Sequence, residues 1–145
     1  MPTMLDQIRS LQRGESPPPP ISELIGIEIE RAEAGETLMT LVAQERHSNP
    51  MGTLHGGILC DLADAAMGMA YYSTLEPGES FTTLELKINF LRPFWMGRLV
   101  ARGRVVSRGR TVGLAECEIE DDQGRLVAKA NSTCMTLRGE AASGR

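Results

Sequence analysis

The sequence predicts one α+β domain in which a curved antiparallel sheet of about six strands wraps a single long helix. Residues 57–75 carry apolar side chains at spacings of three and four, as a helix buried along one side does. The segments before and after that stretch alternate with a period of two, as half-buried strands do. The chain has 145 residues, of which 41% are hydrophobic, and this suffices for one domain with its own core.

Residues 1–20 form a lead-in to this domain. Met4, Ile8 and Leu11 fall on one helical face, which predicts a short amphipathic N-terminal helix over residues 4–12. Pro17 to Pro20 then end any helix and impose an extended, polyproline-like passage. The domain itself is predicted to span residues 21–138, and residues 139–145 to be a flexible C-terminal tail.

The strands flank the long helix. From Leu24 the period becomes two, with isoleucines at positions 25, 27 and 29, and this predicts a first strand; Thr37 to Ala43 predicts the second. Pro77-Gly78 is predicted to end the long helix. The remaining strands are predicted at residues 83–91, 98–107, 111–121 and 125–137. A sheet that one helix covers on a single face leaves its other face to be covered, so we expect a homo-oligomer.

Composition and charge exclude several classes of partner. The net charge is −4 and only 4% of the residues are aromatic, so little is available to neutralise phosphates or stack on bases, and no nucleic-acid partner is expected. No apolar run approaches the roughly 20 residues that cross a bilayer, so no membrane partner is expected. Cys60, Cys117 and Cys134 lack the spacing of a zinc site or a disulfide framework, and they fit a reducing, cytoplasmic compartment.

One segment, between Asn49 and Asp64, carries the residues that could perform chemistry. Gly56-Gly57 opens the long helix, where first-turn N–H groups have no intrahelical partner and suit a carbonyl oxygen that becomes negative. Asp64 follows two turns later on an alanine-rich helix, where a carboxylate is costly unless it is paired or used. Asn49 alone could be a turn residue, and His55 alone a packing histidine. Together, these features are typical of an acyl-transfer site.

The run from Asn49 to Gly57, NPMGTLHGG, followed after six residues by Asp64, resembles the signature of hotdog-fold acyl-CoA thioesterases. The resemblance is to the phenylacetate-pathway, PaaI-like branch. The strand end NFLRP at residues 89–93 and GRLVA at residues 124–128 extend it over nearly the whole chain. The resemblance implies a hotdog fold and hydrolysis of an acyl-CoA thioester to free acid and coenzyme A. No metal or cofactor is expected, because His47 and His55 are eight residues apart without a ligand-spaced acid or cysteine and no nucleotide-binding glycine pattern occurs.

The resemblance also implies roles for individual residues. The Gly56 N–H would polarise the thioester carbonyl, and Asp64 would act as general base or as nucleophile. Asn49 and His55 would hold the carbonyl or the water, and Thr83 would assist the acid. In this family the two halves of a site come from different subunits of a dimer, and the dimers commonly pair into tetramers.

Residues 98–110 contain five arginines and no acid, which suggests contacts with the phosphates of coenzyme A. A hairpin that turns about Gly109 would place Arg102 opposite Glu116, Arg98 opposite Glu120 and Arg104 opposite Leu114. Arg108 and Arg110, at the tip, would have no acid opposite and are the predicted phosphate ligands, with Gly57 as a further substrate-binding residue. The candidate walls of an acyl pocket are Met67, Met69, Tyr71, Tyr72 and Trp95.

Two other functions stay open from the sequence. A hydratase or dehydratase acting on enoyl-CoA would need an acid–histidine pair for proton transfer, which His55 and Asp64 could imitate. A non-catalytic sensor that binds acyl-CoA would usually carry a DNA-binding segment, and residues 1–23 contain only Arg9 and Arg13 as basic residues. Loss of a conjugated double bond, or binding without thiol release, distinguishes these functions from hydrolysis.

Overall fold

The computed structural model describes residues 1–145 and places one long helix against a six-stranded antiparallel sheet, as predicted. The helices are α1 (Met4–Gln12), α2 (Pro20–Ile25) and α3 (Gly56–Tyr72), and short 3₁₀ turns lie at Glu45–His47 and Gly139–Ala142. The strands are β1 (Ile27–Glu33), β2 (Glu36–Ala43), β3 (Ser80–Phe90), β4 (Gly97–Arg108), β5 (Val112–Asp121) and β6 (Leu126–Leu137). Their order in the sheet is β1-β2-β4-β5-β6-β3, so β1 and β3 are its edges.

The N-terminal helix is confirmed, whereas the predicted start of the first strand is wrong. Thr3 and Asp6 form a capping box before α1. Pro20, predicted as part of an extended passage, is instead the first residue of α2, where a fixed φ and a missing N–H cost nothing. Gly26 ends α2 with a φ of 94°, so Leu24 lies in a helix and the strand begins at Ile27.

The sheet can pack closely on α3 because small residues face each other where they cross. A Cβ on Gly103 of β4 would lie 2.4 Å from the backbone carbonyl of Ala66, so only glycine fits there. Beside it on β2, the buried Thr37 hydroxyl donates to the Ala66 carbonyl at 2.7 Å. The helix ends at Tyr72, before the predicted residue 75, and the Ser73 hydroxyl donates to a carbonyl of its last turn.

The predicted register of the β4–β5 hairpin is wrong by two residues. Arg104 lies opposite Glu116 instead of Leu114, and Arg102 lies opposite Glu118. The turn is centred between Arg110 and Thr111, which offsets the pairing by three residues, and a β-bulge after Val105 reduces that offset to two. The ion pairs that form are Arg104 with Glu116, Arg98 with Glu30 and Arg102 with Glu36, so two of them cross to β1 and β2 instead of β5.

These ion pairs lie on the side of the sheet that faces away from α3, where Lys129 also pairs with Glu118. That face carries many charged side chains beside the exposed Val42 and Leu114, so it needs a covering partner less than the sequence argument assumed. The surface that lacks a partner is instead the edge strand β3, which is eleven residues long and exposes 52% of Leu84 and 56% of Phe90. A long edge strand with exposed apolar side chains is a surface for association.

No helix of this fold combines the length and the apolar character that crossing a bilayer requires. Nothing in the architecture divides residues 21–138 further, and the boundaries of the lead-in, domain and tail stay predictions. Residues 139–142 form a 3₁₀ turn within the segment expected to be flexible.

Candidate active site

The start of α3 leaves one backbone donor free. His55 caps the helix by accepting the Gly57 N–H at its Nδ1 atom, at 2.8 Å, which leaves the ring proton on Nε2. The Gly57 N–H is therefore engaged, and a Cβ at Gly57 would lie 2.9 Å from that ring nitrogen. The Gly56 N–H takes no part in the cap, turn or loop hydrogen bonds. It points from the positive end of the helix dipole, where a developing oxyanion is stabilised.

Asn49 holds the loop that leads to this helix start. Its Oδ1 accepts the N–H groups of Met51 at 2.9 Å and Thr53 at 3.2 Å, and its Nδ2 donates to the Thr53 hydroxyl at 2.7 Å. The side chain thus makes its hydrogen bonds inside the loop. This geometry favours a positioning role for Asn49 over direct contact with a substrate.

An aromatic ring that the sequence did not single out lies on Gly56. A Cβ at Gly56 would come within 2.9 Å of the Phe90 ring. A cavity of about 380 Å³ begins there and is lined by Gly56, Leu59, Phe90 and Phe94, among others. Phe90 lies inside the NFLRP segment quoted above, but nothing in the alternation of β3 indicates that its ring reaches the helix start.

Asp64 and Thr83, 19 residues apart in sequence, meet where α3 passes β3. The Thr83 hydroxyl donates to Oδ1 of Asp64 across 3.4 Å, a long hydrogen bond. Asp64 is exposed in the single chain, yet partial desolvation beside β3 raises the pKa of its carboxyl; the Thr83 hydrogen bond opposes this shift, and the charge of Asp61 adds to it. A carboxylate with a raised pKa is a better proton acceptor at neutral pH than an ordinary one.

Within one chain, these two groups form separate halves of a site. Gly56 and Asp64 are eight residues apart on the same helix, which places them about 12 Å apart along its axis. A group that reacts with a carbonyl and a donor that holds its oxygen must both lie about 3 Å from that carbonyl. One copy of α3 therefore cannot supply both to one substrate.

Residues 51–128 match the family model of the thioesterase superfamily. The chain belongs to this superfamily. A phenylacetic acid degradation-related protein from Ralstonia eutropha JMP134 is 38% identical and superimposes with a TM-score of 0.81, over 88% of this chain and 98% of that one. The PaaI protein from the phenylacetic acid degradation operon of E. coli gives 0.83 at 25% identity, over 94% and 98% of the two chains.

Among proteins compared by sequence, the 1,4-dihydroxy-2-naphthoyl-CoA hydrolase of Listeria monocytogenes is 30% identical over 78% of this chain and 92% of its own length. The predictions of a hotdog fold, of membership among PaaI-like thioesterases and of an enzyme of the thioester hydrolase class are confirmed. The roles of the individual site residues stay predictions.

The predicted phosphate ligands of this thioesterase-superfamily member lie far from its helix start. The Arg108 guanidinium stands 4.8 Å over the Tyr71 ring, donates to the Thr74 hydroxyl at 3.0 Å and approaches Glu79 at 4.0 Å. Arg108 lies opposite Gly113, so no acid faces it across the hairpin, as predicted; Glu79 approaches it instead from the turn before β3. Tyr71 and Thr74 lie at the C-terminal end of α3, which is about 25 Å long, and Arg110 is exposed two residues after Arg108.

The predicted walls of an acyl pocket are scattered. Met67 and Tyr71 are fully buried in the core, so they cannot line an open site in this chain. Tyr72 donates to the side chain of Gln7 in α1 at 2.7 Å. Trp95 is exposed and lines a surface cavity together with Phe94. Met69 lines a different cavity, between the N-terminal segment and α3.

Proposed function

We propose that the protein hydrolyses an acyl-CoA thioester to the free acid and coenzyme A, at sites that two copies of the chain share. The observation that carries this proposal is the separation between a free Gly56 N–H and the Asp64–Thr83 pair on one helix. Two antiparallel copies of α3 would place each Asp64 near the partner's Gly56. The exposed edge β3 lies beside Asp64 and offers the surface on which a second copy would dock.

In this mechanism, Asp64 accepts a proton from a water molecule whose oxygen attacks the thioester carbonyl carbon. The carbonyl oxygen takes up the displaced electron pair and is held by the partner's Gly56 N–H. As the tetrahedral intermediate collapses, the C–S bond breaks and coenzyme A leaves as a thiolate, which the proton held by Asp64 neutralises. Thr83 fixes the orientation of the carboxylate that performs the proton transfer.

The remaining predicted catalytic residues, Asn49 and His55, position other groups of the site. Asn49 shapes the loop, and His55 fixes the first turn of α3 so that the Gly56 N–H points outward. The location in the cytoplasm and the assembly of dimers into tetramers belong to the same proposal. They rest on the three free cysteines and on the family resemblance, respectively.

The test is a panel of acyl-CoA thioesters assayed by free-thiol release with wild type and Asp64→Asn. We expect turnover by wild type and a loss of about 10²–10⁴-fold in kcat for the variant, with the fold and the oligomeric state unchanged. Undiminished turnover by Asp64→Asn would overturn the mechanism. Loss of the double bond of an enoyl-CoA without thiol release would favour a hydratase, and binding of acyl-CoA without either reaction would favour a sensor.

A further inference from the structure

The buried face of β6 brings a cysteine and a serine up to the Asp64–Thr83 pair. Cys134 lies directly opposite Thr83 in the pairing of β6 with β3, and its side chain is completely buried. Ser132, two residues earlier on the same face of β6, is completely buried as well. Residues directly opposite each other on neighbouring strands have Cβ atoms about 4.5–5.5 Å apart, so Cys134 lies within contact range of Thr83.

The hydroxyl of Ser132 makes its hydrogen bonds with sulfur atoms. It donates to Sδ of Met67 at 3.5 Å, and its oxygen lies 3.9 Å from Sγ of Cys134. Sulfur is a weak acceptor, and a buried hydroxyl costs free energy unless it is hydrogen-bonded. The alanines at positions 128 and 130 fill the same face earlier in the strand, so packing alone does not call for polar groups here.

The thiol of Cys134 is a hydrogen-bond donor at neutral pH. Desolvation by burial raises the pKa of this thiol, and hydrogen bonding with the Ser132 and Thr83 hydroxyls opposes the shift. The negative charges of Asp64 and Glu85 raise the pKa of the thiol further. The thiol therefore keeps its proton under conditions in which Asp64 is ionised.

The hydroxyl of Thr83 is the natural acceptor for that proton. It has one proton, which it donates to Oδ1 of Asp64 across 3.4 Å, and its oxygen remains able to accept. A hydroxyl that donates to a carboxylate becomes a better acceptor, because hydrogen bonds in a chain polarise one another. The oxygen of Thr83 is therefore a better partner for the Cys134 thiol than the oxygen of Ser132, which donates only to a thioether.

We propose that Cys134 is a positioning residue of this site: its thiol donates to the Thr83 oxygen and thereby holds the Thr83 hydroxyl proton on Asp64. The proposal rests on the proposed function, since it concerns the base of that same site. No proton moves along this chain; Cys134 only orients the hydroxyl. The hydrogen bond from Thr83 to Asp64 is long, so an anchor on the far side of the hydroxyl determines how often it forms.

The other titratable groups around the chain lie on α3 and β3. The charge of Asp61 raises the pKa of Asp64, and the charges of both aspartates raise the pKa of the Cys60 thiol on the same helix. Glu85 on β3 acts on Cys134. Substitutions at Cys134 leave all of these groups in place, so a change in the titration of Asp64 reports on the hydroxyl between them.

The first test removes the thiol. In Cys134→Ala the Thr83 hydroxyl turns away from Asp64 more often, so the pKa of the Asp64 carboxyl rises. The acid limb of the kcat/KM profile should then move up by about half a pH unit, with a roughly threefold loss below it. Cys134→Ser retains a donor and should retain the wild-type limb. A limb that stays in place in Cys134→Ala, or that moves equally in both variants, would overturn the proposal.

Cys117→Ala is the matched control for the loss of a buried thiol. Cys117 is equally buried on β5 and lies opposite Ala130, which pairs with Ile88 and not with Thr83. The variant should lose stability to a degree similar to Cys134→Ala but leave the acid limb in place. An equal shift of the limb in the two alanine variants would assign it to loosened packing.

A double-mutant cycle tests whether Cys134 acts through Thr83. Thr83→Val lacks the oxygen that accepts the thiol proton, so adding Cys134→Ala to it should shift the limb no further. Shifts that add in the double variant would mean that Cys134 affects Asp64 by another route, and the proposal would be wrong.

Carbon-13 NMR of the aspartate carboxyls measures the same effect without a substrate. The carboxyl signal of Asp64, assigned by its loss in Asp64→Asn, should titrate at higher pH in Cys134→Ala than in wild type or Cys134→Ser. If this pattern holds while no acyl-CoA releases thiol, hydrolysis is refuted and the positioning contact stands. If thiol is released but the signal titrates alike in all three proteins, the role of Cys134 is refuted alone.

Discussion

At the scale of single residues, the oxyanion donor at Gly56 is a backbone N–H, so only proline removes it. Gly56→Pro should lower kcat by about 10²–10³-fold. Proline is tolerated at the first position of a helix, and the preceding His55 already has the extended backbone that proline requires, with φ −64° and ψ 132°. The measurement is kcat in the free-thiol assay, together with the melting temperature.

Gly56→Ala is the matched control for that substitution. Its Cβ would press on the Phe90 ring as the proline ring would, yet it retains the N–H. Most of the activity should therefore survive in the alanine variant. Equal losses in both variants would assign the effect to crowding at Phe90 and not to the hydrogen-bond donor.

The Thr83 hydroxyl controls the protonation of Asp64. Because its hydrogen bond lowers a carboxyl pKa that desolvation raises, Thr83→Val should move that pKa further up. The base is active when ionised, so the acid limb of the kcat/KM profile should shift to higher pH. Thr82→Val, whose side chain leaves the opposite face of β3, is the control. A limb that stays in place or moves to lower pH in Thr83→Val would refute the coupling.

At the scale of elements, the contact between β4 and α3 fixes the helix that carries both half-sites. Gly103→Ala should destabilise the fold by about 1–3 kcal/mol or more, because its Cβ would overlap the Ala66 carbonyl. Urea unfolding followed by circular dichroism measures this change, with the exposed Ser107→Ala on the same strand as the control. Equal urea midpoints for the two variants would show that close packing of β4 on α3 at Gly103 does not stabilise the fold.

The elements also show which features a sequence can predict. The spacing of apolar side chains, every second residue in strands and every third or fourth in helices, correctly predicted α3 and the strands β3 to β6. It could do so because this spacing reflects which side chains face the core. The α2 helix escaped prediction because a proline run reads as extended, although proline also begins helices. The arginine partners were misplaced because the hairpin turns between Arg110 and Thr111 and not about Gly109, and the bulge after Val105, which no local pattern marks, removes only one residue of that offset.

The candidate site likewise contains some features that the sequence predicts and others that it does not. The free donor at Gly56 followed from two glycines at a helix start, and Asp64 followed from its cost on an apolar helix. The cap at His55 and the ring of Phe90 depend on tertiary contacts that spacing does not encode. Glu79, which approaches Arg108, lies about 30 residues away in sequence, so it could not be predicted from the pairing within one hairpin.

At the scale of the whole molecule, polarity decides which surface a second copy would cover. The outward face of the sheet carries rows of Arg–Glu pairs, whose exposed charges are hydrated and gain little from being covered. The edge β3 presents unpaired backbone and apolar side chains next to Asp64. Docking at this edge would satisfy the backbone and bring in the missing N–H donor at the same time.

The central claim is that each site needs Asp64 from one chain and Gly56 from another. The most direct measurement mixes two inactive variants, Asp64→Asn and Gly56→Pro, by co-expression in one cell. A mixed dimer has one site with both defects and one site with neither, and mixed dimers make up half of a random population. The free-thiol assay should therefore recover about a quarter of wild-type activity. A mixture that is no more active than either variant alone would contradict the shared site.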